Sequence, residues 1–175
     1  GKTTLLNIIG LITDISAGEI TIGGYKNLSM NNKNAMLLRR HTIGYLFQNY
    51  GLVEDENVLW NLKLALEYKK MNKSEKLRII NKYLKQFGLS GMLNKKIYQL
   101  SGGEQQRIAI IKLILQGSKI ILADEPTSGL DEDNEAIVMG LLKKLNEAGV
   151  TIIMVTHNMH LCDSFSRVIN VENYR

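Results

Sequence analysis

The sequence predicts an α/β fold, a mostly parallel sheet flanked by helices. Three observations carry that expectation. The run Ile120-Ile121-Leu122-Ala123 is apolar at consecutive positions, as a central parallel strand buried on both faces is. Thr151-Ile152-Ile153-Met154-Val155-Thr156 and Ile43-Gly44-Tyr45-Leu46-Phe47 read as further buried strands. Segments with helical spacing separate the runs, and helix–strand alternation of this kind implies a parallel sheet.

Taken in order, Gly1-Lys2-Thr3-Thr4 leads into an apolar helix through Leu5, Leu6, Ile8 and Ile9. Gly18 to Tyr25 alternates at Ile20 and Ile22 like a short antiparallel strand ending in a Gly23-Gly24 turn. Lys33 to Arg40 is a short helix, with Arg39, Arg40 and His41 as a solvated basic face. The strand beginning at Ile43 ends at Gln48. Glu56 to Tyr68 and Lys73 to Phe87 are helices, the second opened by a capping box of Asn72 with Glu75. Its apolar positions Leu77, Ile80, Tyr83, Leu84 and Phe87 follow helical spacing. Trp60 and the nearby tyrosines are assigned to core or partner contacts. Asp133 to Ala148 is an amphipathic helix with Ile137, Val138, Leu141, Leu142 and Leu145 on one side, ended by Gly149. Arg167 to Val171 is the expected last strand.

The 175 residues fit one domain with a sizeable core. No apolar run approaches the roughly 20 residues that span a bilayer; the best candidate, Ile108 to Leu115, is broken by Lys112. The expectation is therefore a soluble chain whose membrane role, if any, comes through a partner. A single cysteine, Cys162, excludes an internal disulfide, suits a reducing compartment and is read as a small buried hydrophobe. The net charge of +5 permits binding to anions such as nucleotide phosphates or lipid headgroups. It does not indicate nucleic acid, because the lysines are scattered, aromatics are few and no recognition motif accompanies them.

Chemistry concentrates between Leu100 and Asp131. Asp124 and Glu125 stand at the C-terminal end of the apolar strand, where open α/β sheets bind ligands. Such a pair suits one acid for a metal and one for activating a nucleophile. The Ser101-Gly102-Gly103 turn lets backbone N–H groups face an anion, with the following helix dipole behind them. Singly, each feature has a plainer reading. Apolar strands often end in acids, and a serine at a helix start is usually only a cap. Together, in this order and this close, LSGGEQQ, ILADEP and SGLD resemble the signature, Walker B and D-loop series of the ATP-binding cassette (ABC) ATPases.

The resemblance implies a P-loop NTPase with an inserted helical signature subdomain. The whole of 1–175 would be one ABC ATPase domain, with 1–48 and 119–175 as a RecA-like core and about 49–118 as the helical subdomain. Gly1-Lys2-Thr3-Thr4 matches the back half of a P-loop. Its front glycines, the strand feeding it and the group that stacks on adenine are absent. The chain is thus expected to be an N-terminally truncated piece, incomplete within that motif, that binds nucleotide poorly when isolated. By resemblance, Lys2 holds the β and γ phosphates of ATP, Thr3 the Mg²⁺, and Thr4 lies nearer the α-phosphate. Asp124 binds Mg²⁺ and Glu125 activates the attacking water. Gln48 matches the Q-loop glutamine, which reaches Mg²⁺ and water, and His157 the H-loop histidine at the γ-phosphate. Ser101, Gly102 and Gly103 would close over ATP held by a second subunit, with Asp131 at the same dimer junction. His41 and His160 match nothing and are assigned to structure.

The stretch from Ile43 to Val53, with Lys-Ile-Tyr-Gln-Leu before Ser101, is similar to bacterial peptide and bacteriocin exporters of the macrolide and lipoprotein type. Their permease is a separate chain. The expected protein is a cytoplasmic ATPase subunit, peripheral on the inner face of the membrane. Its partners are a second nucleotide-binding subunit and the permease. Two other readings stay open: a soluble ABC ATPase not linked to transport, and a truncated, catalytically inactive domain.

Overall fold

The computed structural model describes residues 1–171. A three-stranded parallel sheet, β3 (Ile43–Leu46), β4 (Ile120–Asp124) and β5 (Thr151–Val155), runs in the order β3-β4-β5. Before it come helix α1 (Lys2–Ile9), the two-residue strands β1 (Thr21–Ile22) and β2 (Tyr25–Lys26), and α2 (Lys33–His41). Between β3 and β4 lie α3 (Val58–Ala65), α4 (Lys73–Gln86) and α5 (Gly102–Gln116). The α6 helix (Glu132–Glu147) joins β4 to β5. The sheet and helices match the α/β expectation.

Alternation along β4 places it between two layers. Ile121 and Ala123 pack with Ala109, Ile110 and Leu113 of α5 and Val138 and Leu142 of α6. Leu122 faces the other way, toward Leu6, Leu11 and Ile22. Both faces are covered, so the strand needs no polar side. A third cluster is mainly helical: Val58 and Leu62 of α3, Ile80 and Leu84 of α4, and Ile108, Ile111 and Leu115 of α5, with Leu89 and Leu100 from the connecting segments. The α5 helix therefore has two apolar faces. Gly44 lets it approach the sheet, since a Cβ there would lie 2.7 Å from the Leu113 side chain.

Hydrogen bonding explains the helix starts. Asn72 and Glu75 form the expected reciprocal capping box on α4. Ser101 and Glu104 form another on α5, satisfying two backbone donors that the helix start leaves unpaired. Asn61, fully buried in α3, accepts from Val53 N–H at 2.8 Å and donates to the Val53 and Asn57 carbonyls. It fixes the chain after β3 onto the helical cluster.

Several expectations are corrected. Arg167 to Val171 forms no strand; Val168 and Ile169 are more than half exposed, and no ladder partner lies beside them among the described residues. A 3₁₀ turn at Met159–Ser164 precedes this segment instead. Arg39 and Arg40 are not a solvated face. The Arg39 guanidinium donates to the carbonyls of Leu11 and Met30, and Arg40 lies 3.6 Å above the Tyr68 ring, exchanging water for the ring's negative face. The β5 strand is half-buried rather than buried. Cys162 is likewise only half-buried. The strand from Ile43 ends at Leu46, and Phe47 turns out to stack on Tyr45. The α3 helix is shorter than 56–68, since Asn57 caps it by accepting from Trp60 N–H. Ile137 and Leu77 are exposed, rotated away from the buried pairs Val138–Leu142 and Ile80–Leu84. Trp60 on α3 is 39 % exposed.

Candidate functional site

Three elements end at one place: the start of α1 and the C-terminal ends of β4 and β5. No side chain caps α1. The N–H groups of its first turn, at Lys2, Thr3 and Thr4, have no intrahelical acceptor and stay available to an anion. Thr3 and Thr4 are exposed and Lys2 half-buried. The Lys2 ammonium donates to Thr156 O at 3.2 Å and lies 3.1 Å from His157 Nδ1. An ammonium has only protons to offer, so Nδ1 accepts and the ring proton sits on Nε2.

That second nitrogen faces Glu125. His157 Nε2 is 3.4 Å from Glu125 Oε1, near enough for attraction but outside hydrogen-bond geometry, which leaves the buried Oε1 without a hydrogen bond. Oε2 accepts from the His157 backbone N–H at 3.3 Å. The carboxylate side chain is 19 % exposed, whereas the imidazole is 80 % exposed. Glu125 itself adopts φ +47°, in the left-handed region, where non-glycine residues are uncommon.

Beside this group, Thr3 Oγ1 donates to Asp124 Oδ1 at 3.2 Å, and Asp124 is buried at the last position of β4. A hydroxyl and a carboxylate are hard oxygen donors. Mg²⁺ is usually held by one or two such side chains plus substrate phosphates. The Thr3–Asp124 pair fits it. Burial, with the Asp124 charge adding to it, pushes the Tyr45 phenol up to about 12, so Tyr45 stays a neutral donor to Asn7 at 2.8 Å.

The sequence-assigned residues thus divide. Lys2, Thr3, Asp124, Glu125 and His157 come together. Gln48 is exposed in the turn after β3 and makes no hydrogen bond among the described residues. Ser101, Gly102 and Gly103 form the first turn of α5 and make no hydrogen bond to the Lys2 group. Gly102 lies beside the Tyr50 hydroxyl. Gly103 is buried under Asn134, which donates to both Asp131 carboxylate oxygens and accepts from Arg107. Asp131 caps α6, and the Asn134 backbone and side-chain N–H groups hold its carboxyl below the usual carboxylate range. The signature turn and the Asp131 turn therefore form one connected patch.

The sequence assigned no part in the site to three residues here: Asn134, Gln106 and Lys112. Asn134 stands at the third helical position after a capping aspartate, a slot that often reaches back to the cap. Gln106 and Lys112 are polar residues within an apolar helical run, which is itself a signal. Gln106 donates to Pro126 O and Lys112 to Gly51 O, and burial lowers the Lys112 ammonium's pKa.

Comparison with known proteins agrees with this geometry. The ABC transporter family model matches residues 1–128. An uncharacterized ABC transporter ATP-binding protein of Methanocaldococcus jannaschii is 39 % identical over 173 residues, 99 % of this chain and 77 % of that protein. A macrolide export ATP-binding/permease protein of Aggregatibacter actinomycetemcomitans is 38 % identical over 173 residues. The chain spans only 27 % of that protein's length. Among solved structures, the dimeric post-hydrolysis state of the ATP-binding cassette MJ0796, bound to ADP and Pi, superposes with TM-score 0.82 at 38 % identity. The match covers 92 % of this chain and 72 % of that one.

Proposed function

The chain belongs to the ABC transporter family, whose ATP-binding domains hydrolyse ATP, and from that premise we propose that it drives export of a peptide or antimicrobial through a separate permease chain. The observation that carries the ATPase chemistry is the meeting of Lys2, His157 and Glu125 beside the Thr3–Asp124 pair. Export is supported by the macrolide export relatives, and a separate permease by the archaeal ATP-binding protein, most of whose length the chain spans. Among the described residues no helix is long and apolar enough to cross a membrane. The proposal places the chain on the cytoplasmic face of the membrane, held there by the permease.

Each residue has a role by position. Gly1, Lys2, Thr3 and Thr4 cradle the phosphates, the ammonium neutralising the β and γ groups. Thr3 and Asp124 would hold Mg²⁺, with Gln48 swinging in from its turn; the ion would neutralise phosphate charge as it builds up. Glu125 orients and polarises the attacking water with its Oε1, which accepts no hydrogen bond from the described residues. His157 leaves Lys2 for the γ-phosphate when nucleotide enters. The reaction is phosphoryl transfer to water, accelerated by positioning and charge neutralisation rather than by a covalent intermediate. The Ser101-Gly102-Gly103 turn and Asp131 serve the nucleotide of a second copy. The dimeric state of the similar solved cassettes supports that arrangement. The helical cluster supports reading about 49–118 as a subdomain inserted between 1–48 and 119–175.

The test is Glu125→Gln in the intact protein with magnesium and ATP. Loss of a general base lowers turnover by roughly 10²–10⁴-fold, so the variant should retain ATP and elute as a dimer in size-exclusion chromatography. Near-normal steady-state phosphate release would remove Glu125 from this role.

A further inference from the structure

We propose that Gln106 is a positioning residue for Glu125, holding the Glu125-Pro126 turn in the one conformation that aims the carboxylate at its water. The inference rests on the reading of Glu125 as the group that activates that water. With φ +47°, Glu125 sits in a left-handed backbone conformation that a side chain disfavours, and it immediately precedes a proline, which restricts the backbone before it. Such a conformation persists only where its surroundings over-determine it.

Three hydrogen bonds to or from its main chain fix the turn, beside the one that the Glu125 carboxylate accepts from His157 N–H. Glu125 N–H donates to Val155 O at 2.9 Å, tying it to β5, and Ser128 N–H donates to Glu125 O at 3.1 Å. Both are backbone to backbone and do not depend on side-chain identity. The third comes from a side chain: Gln106 Nε2 donates to Pro126 O at 2.6 Å. Only the amide nitrogen can face a carbonyl, so the orientation of the Gln106 amide is fixed.

Packing does not account for a glutamine at this position. Gln106 is 1 % exposed, on the same side of α5 as Ala109, Ile110 and Leu113, and its Oε1 is buried with no hydrogen-bond partner among the described residues. A methionine would fill the same space without stranding an acceptor, and stranded acceptors cost stability. What glutamine alone supplies is the bond to Pro126. Because α5 also begins at Ser101, the same bond connects the turn that meets a second subunit's nucleotide with the acid that acts on its own.

Two substitutions test this in the intact protein with magnesium and ATP. Gln106→Met removes the donor at similar volume; Gln106→Asn keeps the amide one methylene short of Pro126. Both should lower kcat by roughly 10- to 100-fold, the loss that misplacement by about 1 Å produces. Equilibrium ATP binding should stay at wild-type levels in both; the melting temperature should stay there in Gln106→Met, which removes one stranded acceptor as it unpairs another, and fall in Gln106→Asn, which leaves a cavity and an unpaired amide. In a Glu125→Gln background, Gln106→Met should reduce the residual turnover no further, because the group it positions is already disabled. A wild-type kcat in both variants, while Glu125→Gln is inactive, overturns the positioning role and leaves the role of Glu125 standing. A joint fall of kcat and melting temperature in Gln106→Met that recurs in the Glu125→Gln background also overturns it, making Gln106 a packing residue. Near-normal turnover of Glu125→Gln alone overturns the reading beneath both.

Discussion

Where Gly103 passes under Asn134, a methyl group would occupy the place of the amide oxygen. That amide is already committed to Arg107 on one side and to Asp131 on the other. Gly103→Ala must therefore push Asn134 off its partners, and overpacking of this kind costs about 1–3 kcal/mol. A lowered melting temperature is expected, with partial recovery when Asn134→Ala is added to make room. An unchanged melt in the single variant would show that the contact yields freely. The glycine is legible in the sequence only as part of a motif; the reason for it lies 31 positions away, beyond any local pattern. Lys2, Asp124, Glu125 and His157 were legible for the opposite reason. Each stands at an element end whose type the apolar runs predict, and the ends of parallel strands are where a ligand site forms. What no pattern could give is the backbone twist at Glu125, since φ +47° leaves no mark on composition.

At the level of elements, α5 does two jobs with one sequence. Ile108, Ile111 and Leu115 face the helical cluster, while Ala109, Ile110 and Leu113 face the sheet. Ile110→Ala should thus unseat the sheet contact, and truncation at a fully buried position costs about 2–5 kcal/mol. Urea unfolding followed by circular dichroism measures it; a loss below that range would mean the sheet side closes over the gap. Pattern reading revealed the three strands as apolar runs and this helix as the apolar stretch after the Ser101-Gly102-Gly103 turn, and capping residues placed the start of α4 well. It did not separate an edge strand from a central one, because both β4 and β5 read as apolar runs. Nor did it show that Arg167 to Val171 lacks a neighbouring strand among the described residues. A ladder is a property of two segments, and Val168 and Ile169 look like strand residues until the second is sought. Arg40 was misplaced for a related reason: its ring partner, Tyr68, lies 28 positions along the chain.

Over the whole molecule, the Lys2 group and the Ser101 turn are separate surfaces joined through α5, and the proposed reaction needs one from each of two copies. Ser101→Arg should abolish hydrolysis yet leave ATP binding by the monomer intact, since Ser101 makes no bond to the Lys2 group. Fluorescent-nucleotide titration beside a phosphate-release assay measures both; weakened monomer binding would place the turn within its own subunit's site. Fold and chemistry were legible at this scale because short motifs mark the corners of the site, whereas substrate and permease are proposals drawn from relatives. The sole tryptophan has one more consequence. Trp60 sits on the exposed side of α3, the helix that brings Val58 and Leu62 to the helical cluster, with two-fifths of its surface open. Its emission spectrum is thus a built-in optical reporter for that lobe, free of background from any other indole.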